Sequence, residues 1–555
     1  MTTENKPTFS KDKNTLMAIL AIVALITAVV GLAIGNRARE TPVNSTLQQP
    51  VSYVISTLDG YYLLQNGTTG ALDFKSTNAT TVVQNAIGNL TTSRTWIETI
   101  KFKGNFSISG YITVPSYTAL DLDGALLTCV TPHIPFFWLN SGVHDVTIKG
   151  GYLNGQKEVN GPPLTTTVSQ NESSIYCDQS SYNLNFLNIA INGSTNFGIA
   201  LMFSYNVLVQ GCSINYSYND GVNLGGAHDC RIIDNQFYYQ GHVPIVLSTA
   251  YRNTIANNIC LYSGQRTTFS SIHVFLGSYF NTIVGNVVGY GNGSGAHGIF
   301  VEGYQNTVAD NVCTNLGSAY GIYLHDASDN TVTGNVINGT STKGIGLAQS
   351  AHTTHGNIIS DNTIAYCQDG IFVSGSSVYQ NTIQNNHIVN NTRYGIYVVS
   401  ATPTYTYILN NDISNNTSTG IRLEPGNYTY ITGNTVYGNG GWGIHIVAAT
   451  SGNNYIKNNV ITNNTSGAIS NSGTSTIIQY NVGFVTENSG SAVNATATTF
   501  SITHGLAGTP TGVWCSFNTT AVTAWTWTAT SSTITVTMVG PNNNVTCYWK
   551  AEYQP

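Results

Sequence analysis

Charge is what this chain lacks most. Asp, Glu, Lys and Arg make up only 8% of its 555 residues, about a third of the usual share. Phosphate binding needs concentrated Lys and Arg, and here there is no basic cluster and a net charge of −6, so nucleic acid is excluded as a partner. The short supply of Glu, Lys and Ala also argues against long soluble helices and for extended structure with many turns. Regularly spaced leucines are missing, which removes a leucine-rich repeat. The nine cysteines include no C-x-x-C, which removes a zinc ribbon. Cys515 and Cys547 are expected to form a disulfide within the last segment, and the other seven read as small buried hydrophobes.

What is present begins with an apolar run. Residues 16–34, "LMAILAIVALITAVVGLAI", carry no charge and are long enough to span a bilayer. Basic residues flank both ends, so the positive-inside rule only weakly favours a cytoplasmic N-terminus. A cleaved signal peptide is the competing reading, with Gly31 and Ala33 as the small pair before the cut. Under either reading the chain beyond residue 40 lies outside the cytoplasm. The sequence holds nineteen N-x-[ST] sequons, among them Asn66, Asn105, Asn192, Asn338, Asn427 and Asn544, which agrees with glycosylation there.

The rest of the chain repeats itself. Asn253-Thr254-Ile255 returns as Asn281-Thr282-Ile283, Asn306-Thr307-Val308, Asn330-Thr331-Val332, Asn357-Ile358-Ile359 and Asn381-Thr382-Ile383, at intervals of 24 to 28 residues. Between these copies lies a Gly-led apolar pair, as in Gly298-Ile299, Gly321-Ile322, Gly344-Ile345 and Gly370-Ile371. A short alternating strand, a turn with Gly or Asn, and a second short strand make one coil of a solenoid. One coil cannot bury its own apolar face, whereas a stack buries a continuous core. Asn pairs such as Asn257-Asn258, Asn385-Asn386 and Asn410-Asn411 fit the turns, where Asn tolerates left-handed backbone and stacked amides can bond along the axis.

Residues 70 to 485 resemble the right-handed parallel β-helix family of pectate-lyase-like and NosD-type proteins. The likeness lies in the repeat period and in "HDVTIKGGYLNGQ" (144–156), not in a catalytic signature. Val82, Val83, Ala86 and Ile87 form the amphipathic patch of a capping helix like that common before such solenoids. Some sixteen rungs at about 4.8 Å would make a rod on the order of 75 Å. The resulting fold class is an all-β, right-handed parallel β-helix solenoid with an N-terminal transmembrane helix and a small C-terminal β-sandwich. The boundaries are a cytoplasmic 1–15, a membrane helix or signal anchor 16–35, a linker 36–70, the β-helix with its helical cap 71–487, and the sandwich 494–555.

In a Gly-Ile-x-hydrophobic-x strand the x positions point outward, and stacked rungs align them into columns. One column reads Asn223, His273, Phe300, Tyr323, Gly346, Phe372, Tyr397, Arg422, His445. Its neighbour includes Gly225, Phe275, Glu302, His325, Ser374, Val399 and Glu424. Sugars can stack on such aromatics, with the polar members bonding hydroxyls or carboxylates; an aromatic ladder is equally an ordinary way to stabilise a parallel sheet. Asn223, Phe300, Tyr323, Phe372, Tyr397, Arg422 and His445 are the carbohydrate-binding candidates. His273, Glu302, His325 and Asp326 are the acid–base candidates, because adjacent rungs bring titratable groups within a few ångströms. Asp220, His242 and His297 form a second group. Pectinase-type hydrolysis lacks its paired carboxylates, since Asp229 and Asp234 fall off the columns. A lyase would use Lys343, Arg393 or Arg422 as base and calcium held by several acids, yet Asp310, Asp326, Asp329 and Asp361 are scattered over turns. The resemblance to NosD-like members implies copper, but the twelve His and four Met form no tight cluster; no metal site is assigned.

The sequence therefore points to a membrane-anchored, extracytoplasmic rod that recognises a polysaccharide or glycan at the cell surface, as an adhesin or envelope component. A polysaccharide lyase, epimerase or hydrolase and a structural spacer remain the alternatives. Association as a homotrimer, as in fibre proteins, is left open.

Overall fold

The computed structural model describes residues 51–161, 170–291, 293, 295–399, 405–494, 497–541 and 544–555. The expected membrane helix at 16–35 lies outside the described residues. Among the described residues no helix is long and apolar enough to cross a membrane.

Each repeat contributes three strands, one more than the sequence pattern suggested. Thr307–Ala309 pairs in parallel with Thr331–Thr333, placing Val308 beside Val332. Val312–Thr314 pairs with Val336–Asn338, and Ile299–Val301 pairs with Ile322–His325. Propagated along the chain, this produces a parallel β-solenoid: two sheets of fifteen strands and a first sheet of nineteen that includes the antiparallel start. The missed strand is the short one that follows the second Asn of each turn, too brief to show alternation. The middle residue of each short strand in the first two sheets points inward, as do the residues flanking the outward column in the third, so Ile283, Val308, Val332, Val288, Ile337, Ile322 and Leu324 are fully buried in one continuous core. Cys212, Cys230, Cys260, Cys313 and Cys367 sit in that core as free thiols. Burial pushes the Cys212 thiol up to about 11 and that of Cys230 to about 12, so they act as inert hydrophobes.

The turns explain the Asn pairs. Asn257, Asn385, Asn410 and Asn458 take left-handed backbone, with φ of 54° to 56°. The second Asn of each pair turns its amide inward and stacks along the axis. Asn386 Nδ2 donates to Ile359 O and to Asn411 Oδ1, both at 2.9 Å, while Asn386 Oδ1 accepts from the Asn362 backbone N–H at 3.0 Å. The ladder is continuous from Asn235 through Asn258, Asn286, Asn311, Asn335, Asn362, Asn386, Asn411, Asn434 and Asn459 to Asn481. The Gly-led pair has its own cause: a Cβ on Gly321 would lie 2.5 Å from Ile337 Cγ2 and 2.7 Å from Gly344 O.

At the start, strands Val51–Leu58, Tyr61–Asn66 and Leu72–Ser76 pair antiparallel. Helix Ala79–Gly88 follows, capped by the Asn78 side chain and burying Val82, Val83 and Ala86. At the other end, two three-stranded antiparallel sheets face each other. One holds Glu487–Asn494, Val545–Glu552 and Gly512–Phe517, the other Thr499–Thr503, Thr533–Val539 and Ala524–Ala529. They enclose a separate small core around Ile534, Val536, Cys547 and Ala551. Cys515 and Cys547, the pair expected to form a disulfide there, carry free thiols. They lie on adjacent strands, Cys515 opposite Trp549 and Cys547 opposite Phe517, and a hydrogen bond between the two thiols raises one pKa and lowers the other.

Candidate functional site

The outward column of the third sheet falls in register as the repeat implies. Asn223, Val246, His273, Phe300, Tyr323, Gly346, Phe372, Tyr397, Arg422 and His445 are successive partners in the parallel ladder. Its rings, however, spend their faces on one another. The Phe300 and Tyr323 ring centres are 5.2 Å apart, and Tyr320 stacks on Tyr323 at 4.3 Å. The Tyr320 ring fills the space over Gly346, where a Cβ would meet it at 2.5 Å. Lys343 Nζ lies 5.0 Å from the centre of the Phe372 ring, and Arg393 stands over Tyr397 at 5.3 Å. Lys343 and Arg393 are not free bases, since both are pinned on the fully buried Asp369 carboxylate. Arg422 pairs with Glu424 at 2.6 Å and its Nη1 lies 3.4 Å from His445 Nδ1.

The first acid–base group does assemble, with Asp326 Oδ2 3.8 Å from His325 Nδ1. His273 Nε2 lies 2.9 Å from Glu302 Oε2, and His325 Nδ1 lies 3.9 Å from Glu302 Oε1. Asp326 also accepts from the backbone N–H groups of Ser350, Ala351 and His352, so it anchors a loop. His273 is 1% exposed with its ring 3.6 Å from that of Phe275, which removes it from contact with any ligand. Burial pushes the Glu302 carboxyl up, but the hydrogen bond to His273 and the influence of His273 and His325 prevail and hold it at about 2. A carboxylate that acidic cannot donate a proton at neutral pH and is a weak base, whereas it readily accepts hydrogen bonds from hydroxyls.

The second group separates. Asp220 Oδ1 lies 2.7 Å from His242 Nδ1, and Asp220 Oδ2 accepts from Asn223 Nδ2 at 3.0 Å. His297 packs instead against Phe300, Tyr320 and Tyr323. Burial lowers its pKa to about 4, and its neutral Nδ1 accepts from the Tyr320 N–H at 3.1 Å.

Asp220 and His242 lie in a groove of about 560 Å³. The sequence shows where it comes from. The repeat between Thr254 and Thr282, at 28 residues, is the longest of those that follow Arg231, and the extra length forms a connection before Ile272 that folds over the sheet. Backbone bonds from Gln265, Arg266 and Thr267 to the 240–241 turn hold it there. Phe269 thereby comes 4.4 Å from the His242 ring. Phe203, 52% exposed, Phe275 and Met202 supply apolar walls, with Asn219, Asn223, Asp220 and His242 as polar lining. Arg266 stacks on Tyr218 at 4.5 Å and donates to the Tyr218 carbonyl and to Asn219 Oδ1, yet among the described residues it has no carboxylate partner. Asp229 and Asp234 lie away from the groove, bonded to Arg252 and Gln210 respectively.

Sequence reasoning missed Phe203, Phe269 and Arg266, whose signal was the long repeat. It also missed an aromatic stack on the first sheet. His144, Tyr182, Tyr205, His228, Tyr251, Tyr279 and Tyr304 stack with ring centres 4.7–5.2 Å apart and planes within 20°. The signal was a ring two residues before each Asn-Thr-Ile, as in Tyr251 and Tyr279. These rings cover one another's faces, which suits them to stabilising the sheet. Of the sequon residues, Asn105 and Asn544 are exposed, while Asn66, Asn192, Asn338 and Asn427 are half-buried.

The family model described as periplasmic copper-binding protein (NosD) matches residues 164–271, 260–404 and 352–496, more than half of the chain. No curated protein sequence matches it. Among solved structures, PfbA, a surface adhesin of Streptococcus pneumoniae, aligns at 15% identity and TM-score 0.46, covering 60% of this chain and 88% of its own. The tailspike protein of E. coli bacteriophage HK620, solved in complex with a pentasaccharide, aligns at 13% identity and TM-score 0.45, covering 86% and 90%. The A-module of the Azotobacter vinelandii mannuronan C-5 epimerase AlgE6 aligns at 13% identity and TM-score 0.27, covering 73% and 95%.

Proposed function

From the premise that this chain belongs to the NosD family, we propose that it is an extracytoplasmic β-solenoid that binds a glycan on its third sheet. The observation that carries this reading is the groove between Phe203 and the connection bearing Arg266. It combines apolar ring surface left open to solvent, a hydrogen-bonded polar lining and a guanidinium without an acidic partner, which is the mixture that holds a sugar by its C–H face and its hydroxyls. The column beyond it, with Glu302, His325, Arg422 and His445 between stacked rings, extends the surface along the rod. The apolar segment 16–35 is the tether in this proposal.

The family's copper does not fit the residues described. No group of three or more His, Cys, Asp or Glu is arranged to hold a metal ion among them; His273 Nε2 is bonded to Glu302, and the solenoid cysteines are sealed in the core. One observation favours catalysis as a second reading. The His242 ring, oriented by Asp220, lines the groove and has the form of a general base.

The test uses the chain from residue 41 on an array of acidic and neutral polysaccharides, with binding read beside the appearance of unsaturated or reducing ends. Binding without new ends, lost in Phe203→Ala with Arg266→Ala, is the expected result. New ends that vanish in His242→Ala would replace it with the enzyme, and silence on both counts would leave a spacer.

A further inference from the structure

The C-terminal module presents aromatic surface of a different kind. In strands Gly512–Phe517 and Val545–Glu552, inward and outward residues alternate. Val513 and Cys547 face the small core, while Trp514 and Tyr548 point out, 52% and 53% exposed. Both lie on one face, since Trp514 is opposite Lys550 and Tyr548 is two residues before it. The indole lies back over Gly512, where an added Cβ would meet three of its ring atoms within 3.4 Å. Only glycine lets the ring settle there.

Hydrogen-bonding groups stand over and beside the ring. Lys550 Nζ is 5.7 Å from its centre and is held by Glu552 at 2.6 Å and Glu487 at 3.6 Å. Glu487 and Glu552 also line a crevice of about 640 Å³ between the module and the last rungs, whose far wall includes Tyr455 and Gln479. Through Lys550 and its two carboxylate partners the ring thus adjoins a polar crevice.

We propose that this corner is a second glycan site, which takes a neutral oligosaccharide with one pyranose on Trp514 and the following units in the crevice. Two carboxylates against one ammonium leave the site net negative, which disfavours polyanions such as uronates. The site does not depend on the solenoid groove and stands or falls separately from it.

Calorimetric titration of the chain from residue 41 with cello-, xylo-, malto- and chito-oligosaccharides and with polygalacturonate tests the assignment. One neutral series is expected to bind, with affinity falling about tenfold or more in Trp514→Ala and retained in Phe203→Ala. Trp514→Phe is expected to keep part of it. An unchanged melting temperature, expected for so exposed a ring, confirms that the variants fold. Equal binding in wild type and Trp514→Ala overturns the proposal, as does preference for polygalacturonate at Trp514 or failure of every neutral series. Concentration-dependent self-association that disappears in Trp514→Ala would also overturn it, by making the face a contact between copies.

Discussion

Replacing Asn386 by Ala tests whether the amide ladder holds the solenoid together. Asn386 Oδ1 accepts from the Asn362 backbone N–H and Nδ2, and its own Nδ2 donates to Ile359 O, Gln384 O and Asn411 Oδ1. All of this lies out of water, with the residue 1% exposed. The substitution leaves at least two backbone groups, the Asn362 N–H and Ile359 O, without those partners. At about 1–3 kcal/mol for each orphaned buried group, the loss is about 4 kcal/mol. The neighbouring Asn385 supplies the control. Its left-handed backbone, φ 55°, is the conformation glycine takes at the equivalent Gly285, Gly334 and Gly433, so Asn385→Gly should change stability by less than about 1 kcal/mol. Urea unfolding followed by far-ultraviolet circular dichroism measures both. A loss below about 1 kcal/mol in Asn386→Ala would refute the argument, because water or backbone relaxation would then be satisfying the ladder.

Acid should destabilise the fold in two stages. His297 binds its proton at about 4 when folded and near 6.5 when unfolded, so the stability its neutral form permits is full above 6.5 and declines from there to 4. Glu302, at about 2 when folded against 4.5 unfolded, adds a loss as pH falls from 4.5 toward 2. Melting temperature against pH should therefore lose its upper limb in His297→Asn; an unchanged profile would refute the assignment. Because both faces of Tyr323 are covered by Phe300 and Tyr320, Tyr323→Ala should lower stability by about 2–4 kcal/mol, and a variant that loses glycan binding at unaltered stability would contradict this. Mild oxidation should join Cys515 to Cys547, remove two titratable thiols on unfolding, and stabilise the module by about 3–4 kcal/mol; two reactive thiols remaining would refute it. Deleting residues 1–40 should move the protein from the membrane fraction to the soluble one.

The solenoid was legible because its constraint recurs: most rungs have a Gly where the next carbonyl approaches, an Asn in the amide ladder and an apolar residue inside. Such a pattern repeats at fixed phase even when single residues drift. The columns were legible for the same reason, and their parallel register follows directly. Partner choice within a column was not. The sequence places Asp326 beside His325, but whether it faces Glu302 or the loop at 350–352 depends on backbone amides some 25 residues away. Nor does spacing reveal that Lys343 and Arg393 converge on Asp369. The groove was hidden because it depends on a departure from the repeat, and period matching discounts the extra residues before Ile272 that carry Arg266 and Phe269.

Each rung touches only the one before and the one after, so the rod behaves as a ruler graduated in rungs. Gaining or losing one repeat would alter reach by about 4.8 Å while leaving the core, the ladder and the closing module chemically intact. Length can then drift among relatives without a matching change at either end. The groove, defined by one irregular repeat, and the module, defined by the last one, can be moved apart or together by copying ordinary rungs between them. A protein built this way can be refitted to a thicker envelope layer by duplication alone.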